Sequence, residues 1–196
     1  IALDFQTSKI AGCLLSHEHD DHSHSVRDVL KAGIRVYTSK GTQQALGIKH
    51  HRIKTIEARK QFKIGSFTIL PFETEHDASE PLGFLIESDA GERLLFATDT
   101  YFIRYRFERL NIIAVECNYS EEILRQNILD GIVPVVTKRR LVQSHFSLEN
   151  YKEFLRANDL SHVREIWLIH MSNRNADADL FKREIQQLTG KPVYIA

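Results

Sequence analysis

Ten histidines occur among the 196 residues, and four of them fall within eight positions near the start of the chain. Residues 17–22 read His-Glu-His-Asp-Asp-His and follow an apolar run directly. His17 and His19 stand two apart, so both imidazoles can point the same way in an extended turn. Asp21 and His22 take another direction where the chain bends toward a helix. One short loop can thus serve two neighbouring metal ions, and imidazole with carboxylate suits Zn, Mn or Fe.

A polar helix N-terminus is the alternative interpretation of this loop, because Asp interacts favourably with the helix dipole. Three histidines in six residues are hard to explain by capping, so we favour metal binding. Three further ligand candidates each follow an apolar run, where an open sheet places its ligands: His76, Asp99 and His170. Taken singly, they could be a surface histidine, a turn-forming aspartate and a buried core histidine. Only the resemblance of their joint order to that of a known family makes them ligand candidates.

The motif His-x-His-x-Asp-His after a strand resembles the signature of the metallo-β-lactamase-fold hydrolases, and the later motifs follow in that family's order. The resemblance implies an α/β fold, an αββα sandwich with mixed sheets between outer helices. It implies that one metal ion is held by His17, His19 and His76. It implies that the other is held by Asp21, His22 and His170, with Asp99 bridging the two.

The chemistry of these ligands is consistent with a hydrolase. Mostly neutral histidines with only two carboxylates leave a site with two divalent ions, Zn or Mn, positively charged. Such a site attracts an anionic substrate and acidifies a bridging water. The resemblance therefore implies a metal-dependent hydrolase with a metal-bridging hydroxide as nucleophile, in which Asp21 and Asp99 are catalytic as well as metal-binding.

A further histidine, His145, stands in the stretch Gln-Ser-His-Phe-Ser over residues 143–147. The plain interpretation is a helix cap made by Ser147. The phosphodiesterase branches of the family, ribonuclease Z among them, carry an extra histidine here that contacts the scissile phosphate or protonates the leaving oxygen. Residues 13–196 are most similar to the YycJ-type (WalJ-type) nuclease branch of bacteria and phages, whose Glu-Ser-Asn stretch resembles residues 116–118. The resemblance implies that His145 is catalytic.

Two departures from the family pattern occur near the start of the chain. The family fold usually begins with a β-hairpin carrying a Gly-rich turn and an Asp. Nothing before Ile10 matches that hairpin, so we expect it to be missing, and Asp4 is a poor substitute for its aspartate. Asp20 occupies a position where a small residue is common, and we expect its side chain to face solvent.

Composition and patterning indicate one globular α/β domain over residues 1–196. Hydrophobic residues make up 42% and charged residues 27%, which excludes general disorder. No apolar run approaches the roughly 20 residues of a membrane span. Cys13 and Cys117 lie in apolar runs, which predicts buried free thiols and a cytoplasmic protein. Predicted strands cover residues 10–16, 34–38, 61–64, 67–72, 82–88, 93–97, 111–117, 163–169 and 192–195, and predicted helices cover 25–32, 41–46, 120–129, 148–157 and 177–188.

The formal net charge is zero, so nucleic acid would have to bind a local positive patch. Residues 138–140 read Lys-Arg-Arg just before His145, and residues 101–109 interleave arginines with Tyr and Phe. Such segments suit a single strand or a frayed end, although a solvated face with anchoring aromatics is the equal alternative.

The leading interpretation is a two-metal phosphodiesterase acting on nucleic acid, and specifically an exonuclease on DNA. The alternative enzyme is a small-molecule hydrolase that cleaves a thioester, a lactone or a cyclic phosphodiester. A non-catalytic, metal-dependent binding module is the third alternative, disfavoured because the whole ligand set is present. Fold alone does not decide among them.

Overall fold

The computed structural model describes residues 6–196. Asp4, discussed above as a poor substitute for the hairpin aspartate, lies outside the described residues. The chain divides into two compact units. The first unit runs to Glu73 and includes Ala78–Asp89, and the second comprises Thr74–Asp77 and Ala90–Ala196. The single domain expected from the sequence stays a prediction.

The first unit begins with a small parallel sheet. Its strands are β1 (Cys13–Leu14), β2 (Val36–Thr38) and β3 (Ile53–Thr55), in the order β1-β2-β3. Its helices are α1 (Asp20–Ser23), α2 (Val26–Lys31) and α3 (Lys40–Leu46). Val26 and Leu30 of α2 pack with Leu15, Val36 and Ile48 in one apolar cluster. This cluster supports the polar loop that leaves β1, because that loop lies between two packed elements.

Antiparallel strands complete the first unit. These are β4 (Phe62–Ile64), β5 (Phe67–Glu73) and β6 (Leu82–Ser88), and β5 pairs with both neighbours. The turn between β4 and β5 contains Gly65 at a φ of 56°, in the left-handed region that favours glycine. Gly83 is also required, because a Cβ there would lie 2.4 Å from the ring of Phe72.

A parallel sheet forms the centre of the second unit. Its strands are β7 (Arg93–Ala97), β8 (Ile112–Glu116), β9 (Glu165–Ile169) and β10 (Val193–Ile195), in the order β10-β9-β8-β7. The strands β8 and β9 are central, and Ile113, Val115, Ile166 and Leu168 are fully buried. The alternate residues of both strands are half-buried, and this partial cover of the second face explains why the strands read as apolar runs rather than as alternating patterns.

The second unit carries four longer helices: α4 (Glu121–Leu129), α5 (Val135–Ser144), α6 (Leu148–Ala157) and α7 (Ala178–Thr189). The cap predicted at Ser147 is confirmed, since its hydroxyl accepts a hydrogen bond from the Asn150 N–H at 3.1 Å. Helix α6 covers the predicted range 148–157, and its apolar face is buried. Helix α7 ends at Gly190, which adopts a left-handed φ of 65°.

Helix α5, β3 and the short α1 were not among the predicted elements. Only Ser144 is buried in α5, so its apolar residues show no buried stripe that periodicity could detect. Both cysteines are free thiols, as expected, with Cys117 buried and Cys13 half-buried. Burial raises the pKa of each thiol. Within residues 6–196, no helix has the length and apolar character that a membrane crossing requires.

Candidate metal centre

The first unit gathers four of the predicted ligands in the loop between β1 and α2. The ring centroids of His17 and His19 lie 4.8 Å apart, and those of His17 and His22 lie 4.5 Å apart. Oδ2 of Asp21 lies 3.4 Å from Nε2 of His22. The side chain of Asp21 is 61% exposed, whereas His17 is buried. The sequence motif therefore forms a compact group of imidazoles with a carboxylate beside it.

Hydrogen bonds at the intervening acid fix the shape of this loop. The Glu18 carboxylate accepts from the Ser79 N–H at 2.7 Å, and the Ser23 hydroxyl donates to the Glu18 carbonyl at 2.8 Å. Glu18 thus points away from the ligand group and acts as a structural support. Asp20 is exposed, as the sequence analysis expected, and it opens the first turn of α1, where a carboxylate suits the helix dipole.

The second unit gathers its predicted ligands at one edge of the parallel sheet. Asp99 follows β7, His170 follows β9, and the strand between them is β8. Parallel neighbours end at the same edge, so Nδ1 of His170 lies 3.2 Å from Oδ1 of Asp99. His76 approaches the same carboxylate, with Nε2 3.4 Å from Oδ2. Each carboxylate oxygen of Asp99 thus lies beside a different imidazole, and its bridging role stays a prediction.

The backbone at this edge is held in a costly conformation. Asp99 has a φ of 43° and His170 a φ of 53°, in the left-handed region that residues with a side chain rarely adopt. The Thr98 hydroxyl donates to Asp99 at 2.7 Å, and the side-chain amide of Asn118 donates to the His170 carbonyl at 2.8 Å. Strain of this kind persists where surrounding contacts over-determine it, and it concentrates at functional sites.

Glu116, the last residue of β8, is a site residue for which the sequence analysis assigned no role. Its carboxylate is fully buried, and Oε1 lies 2.7 Å from Nδ1 of His145 and 2.8 Å from Nδ1 of His170. The other oxygen accepts backbone N–H bonds from Thr100 at 2.9 Å and Phe146 at 3.3 Å. The available signal was an acid ending an apolar strand, since a buried carboxylate needs such partners.

His145 lies in this cluster, at the junction of α5 and α6. Its side chain is 20% exposed, and its ring centroid lies 5.5 Å from that of His170. Burial lowers the pKa of His145, but the hydrogen bond and charge of Glu116, with the charge of Asp99, raise that pKa above its usual value overall. The Glu116 carboxylate thus orients the imidazole and favours its protonated form.

His76 has the opposite character. Its side chain is only 2% exposed, and burial lowers its pKa despite the opposing effects of the Ser144 carbonyl and Asp99. Nδ1 of His76 lies 2.8 Å from the Ser144 carbonyl oxygen at the end of α5. That hydrogen bond directs Nε2 toward Asp99. A neutral imidazole oriented by a carbonyl is the form in which histidine binds metals.

The donor chemistry of both units fits a divalent cation. In the second unit, one ligand atom from each of Asp99, Glu116, His145 and His170 lies within 4.8 Å of the others. In the first unit, ligand atoms of His17 and His19 lie within 4.8 Å of each other, and so do ligand atoms of Asp21 and His22. Imidazoles and carboxylates without a thiolate suit Zn or Mn. The pattern indicates divalent metal binding.

Comparisons with known proteins bear on these observations. Residues 3–171 match the family model described as Beta-lactamase superfamily domain. Exodeoxyribonuclease YycJ of Bacillus anthracis is 24% identical over 200 residues, covering 94% of this chain and 73% of that protein.

Solved structures show the fold. The metallo-beta-lactamase fold protein YhfI of Bacillus subtilis superposes with a TM-score of 0.70 at 16% identity, over 100% of this chain and 79% of YhfI. A diphosphatase from the PhnP family gives 0.64 at 14% identity, over 95% of this chain and 68% of the diphosphatase. The α/β fold with mixed sheets expected from the sequence is confirmed.

Proposed function

The chain belongs to the beta-lactamase superfamily of metal-dependent hydrolases, and from that premise we propose that it is a two-metal phosphodiesterase that degrades DNA as an exonuclease. One observation carries the proposal. His145 is a histidine outside the predicted ligand set, and the buried Glu116 carboxylate holds it 2.7 Å away, beside Asp99 and His170. A phosphodiester expels a poor leaving group, which needs a proton donor at this place.

The ligand assignment of the sequence analysis is part of the proposal. His17, His19 and His76 would hold one ion, Asp21, His22 and His170 the other, and Asp99 both. Two divalent ions, Zn or Mn, would neutralise the charge of the reacting phosphate and lower the pKa of bound water. Ligands of the two units are assigned to the same ion because of the family resemblance, in which the motifs follow in the same order along the chain.

The residues of the second unit have separate tasks in this account. His145 donates a proton to the leaving oxygen, and Glu116 keeps the imidazole oriented and protonated. The strained backbone at Asp99 and His170 holds both side chains at the sheet edge before substrate arrives. Such preorganisation avoids reorganisation during the reaction. Glu116 touches no substrate in this account, so it is a positioning residue.

The nature of the substrate is supported by the relatives and by charge. The relative named Exodeoxyribonuclease YycJ acts, by that name, on DNA. Its alignment covers 94% of this chain at 24% identity. Only two of the seven proposed ligands are carboxylates, so the loaded site favours an anion over a neutral lactone or ester. The two free cysteines support a reducing compartment, and we place the protein in the cytoplasm.

Turnover of two small substrates, compared in separate assays, tests the reaction class. We expect protein loaded with Mn or Zn to hydrolyse bis-p-nitrophenyl phosphate and to leave a thioester intact. His162→Ala, a histidine variant outside the cluster, should match the parent, and Asp99→Asn should lose the activity. Turnover of the thioester alone would support the small-molecule hydrolase, and turnover of neither would support the binding module.

A further inference from the structure

We propose that a pocket beside His76 binds one unpaired nucleotide of the substrate strand, with the base against Tyr101 and a flanking phosphate on Arg139. The proposal rests on the proposed function and names its substrate more closely, as single-stranded DNA or a frayed end. We call this site the α5 pocket, because one face of α5 forms a wall of it. Its volume is about 450 Å³, within the size range of small-molecule sites.

The positive charges of helix α5 lie on two different sides of the helix. Val136, Arg139, Arg140 and Gln143 all line the α5 pocket, and their spacing of three, four and seven residues puts them on one helical face. Lys138 lines a different pocket, together with Glu121, Glu122 and Glu149. The lysine therefore faces acids, whereas both arginines face the α5 pocket.

One of the cations that line the α5 pocket has no carboxylate partner. Nε of Arg140 lies 3.1 Å from Oδ2 of Asp77, and Arg104 forms an ion pair with Glu75. The two lining carboxylates, Glu75 and Asp77, are thus each matched by an arginine. Among residues 6–196, no carboxylate pairs with Arg139. A planar guanidinium without a partner is suited to a phosphate, which it can bind with two parallel hydrogen bonds.

An aromatic face completes the α5 pocket. Tyr101 is 38% exposed, and no ring of the described part of the chain packs against it. Its backbone is held in place, since its N–H donates to the Glu75 carbonyl at 3.0 Å. An exposed aromatic ring on an anchored backbone, in the same pocket as a guanidinium, is suited to stacking a single-stranded base.

The position of the α5 pocket relates it to the proposed reaction. His76, a proposed metal ligand, lines the pocket, and its Nδ1 lies 2.8 Å from the carbonyl of Ser144, which also lines it. A strand whose phosphate lies at the metal ligands therefore places a neighbouring nucleotide in the pocket. A base stacked inside a duplex cannot reach Tyr101, so the pocket selects unpaired ends.

Binding of a labelled oligothymidylate to the metal-loaded protein tests the pocket without relying on turnover, if the strand carries hydrolysis-resistant phosphorothioate linkages. We expect Tyr101→Leu to weaken binding about tenfold. Arg139→Gln should also weaken binding and should lower the slope of log affinity against log salt by about 0.7, the value for one phosphate contact on a single strand. The matched controls are Phe102→Leu, the neighbouring exposed aromatic, and Lys138→Gln, the neighbouring cation on the other side. Both controls should bind like the parent.

Hydrolysis separates this proposal from the proposed function. The two controls, Phe102→Leu and Lys138→Gln, should hydrolyse bis-p-nitrophenyl phosphate like the parent, because neither residue lines the α5 pocket. A parent that hydrolyses neither this ester nor DNA contradicts the proposed function, while the binding assay still decides the pocket. Equal affinity of Tyr101→Leu, Arg139→Gln and the parent for the single strand overturns the α5 pocket, and so does tighter binding of a blunt duplex than of the single strand.

Discussion

Oε1 of Glu116 lies 2.7 Å from Nδ1 of His145, and the buried Glu116 is the last residue of the central strand β8. The same oxygen lies 2.8 Å from Nδ1 of His170. One buried carboxylate thus connects the proposed proton donor to a proposed metal ligand. The relationship gives Glu116 a measurable influence on acid–base behaviour, although it contacts no substrate.

Replacing Glu116 by Gln should change the pH dependence of hydrolysis. Burial lowers the pKa of His145, but Glu116 and Asp99 raise it above its usual value overall. An acid is active while protonated, so the rate falls as pH rises through that pKa. Without the Glu116 charge the pKa drops, and the fall in kcat/KM should move to lower pH. If kcat/KM falls at the same pH in parent and variant, this role of Glu116 is contradicted. The control is Glu121→Gln, at an exposed position of α4.

Replacing His145 by Ala should lower the rate without removing metal. The expected loss on DNA is about 10²- to 10⁴-fold, which is the usual contribution of general acid catalysis. The loss should be much smaller for bis-p-nitrophenyl phosphate, because nitrophenolate leaves without a proton. His162→Ala is the matched control. A variant that degrades DNA at the parent rate would exclude His145 as the acid, and a variant that loses an ion would make it a ligand.

Metal stoichiometry tests the seven proposed ligands. Elemental analysis after dialysis against Zn or Mn should approach two ions per chain, and Asp99→Ala should weaken both sites because its carboxylate bridges. His19→Ala should weaken only one. The proposed two-ion site would be wrong if folded parent protein held one ion or none, with folding checked by circular dichroism.

Two buried tyrosines of the second unit should respond differently to loss of the hydroxyl. Tyr151 is fully buried, and no group in residues 6–196 forms a hydrogen bond with its hydroxyl. Tyr151→Phe should therefore leave the free energy of unfolding unchanged or raise it by about 1 kcal/mol. Tyr119 is equally buried, but its hydroxyl is not among the buried polar atoms without a partner and the Ser147 side chain lowers its pKa against the larger effect of burial, so Tyr119→Phe should cost about 1 kcal/mol. Urea unfolding measures both, and equal losses would refute the distinction.

Local sequence signals predicted much of this fold. Helix α6 could be predicted because Ser147 is a good cap and the apolar residues of the helix recur with helical spacing. The core strands β8 and β9 could be predicted because both are apolar runs. Helix α5 lacked any comparable signal, because its positions carry cations and valines that remain exposed. A helix that buries almost nothing leaves no period in the sequence.

The sequence indicates metal-binding chemistry clearly where candidate ligands are close together along the chain, and less clearly where they are far apart. The loop at residues 17–22 shows its chemistry directly in its order. Glu116 was missed as a site residue because its role depends on β8 lying between β7 and β9, which brings Asp99 and His170 beside it. Strand order is a tertiary property, so a lone acid at the end of an apolar run does not indicate its partners.

The measurement that tests the central claim most directly is the release of nucleotides from single-stranded DNA by metal-loaded protein. We expect degradation with Mn or Zn, loss of activity after chelation, and recovery when metal is restored, while Asp99→Asn stays inactive throughout. Folded, metal-loaded protein that degrades neither single- nor double-stranded DNA would contradict the account.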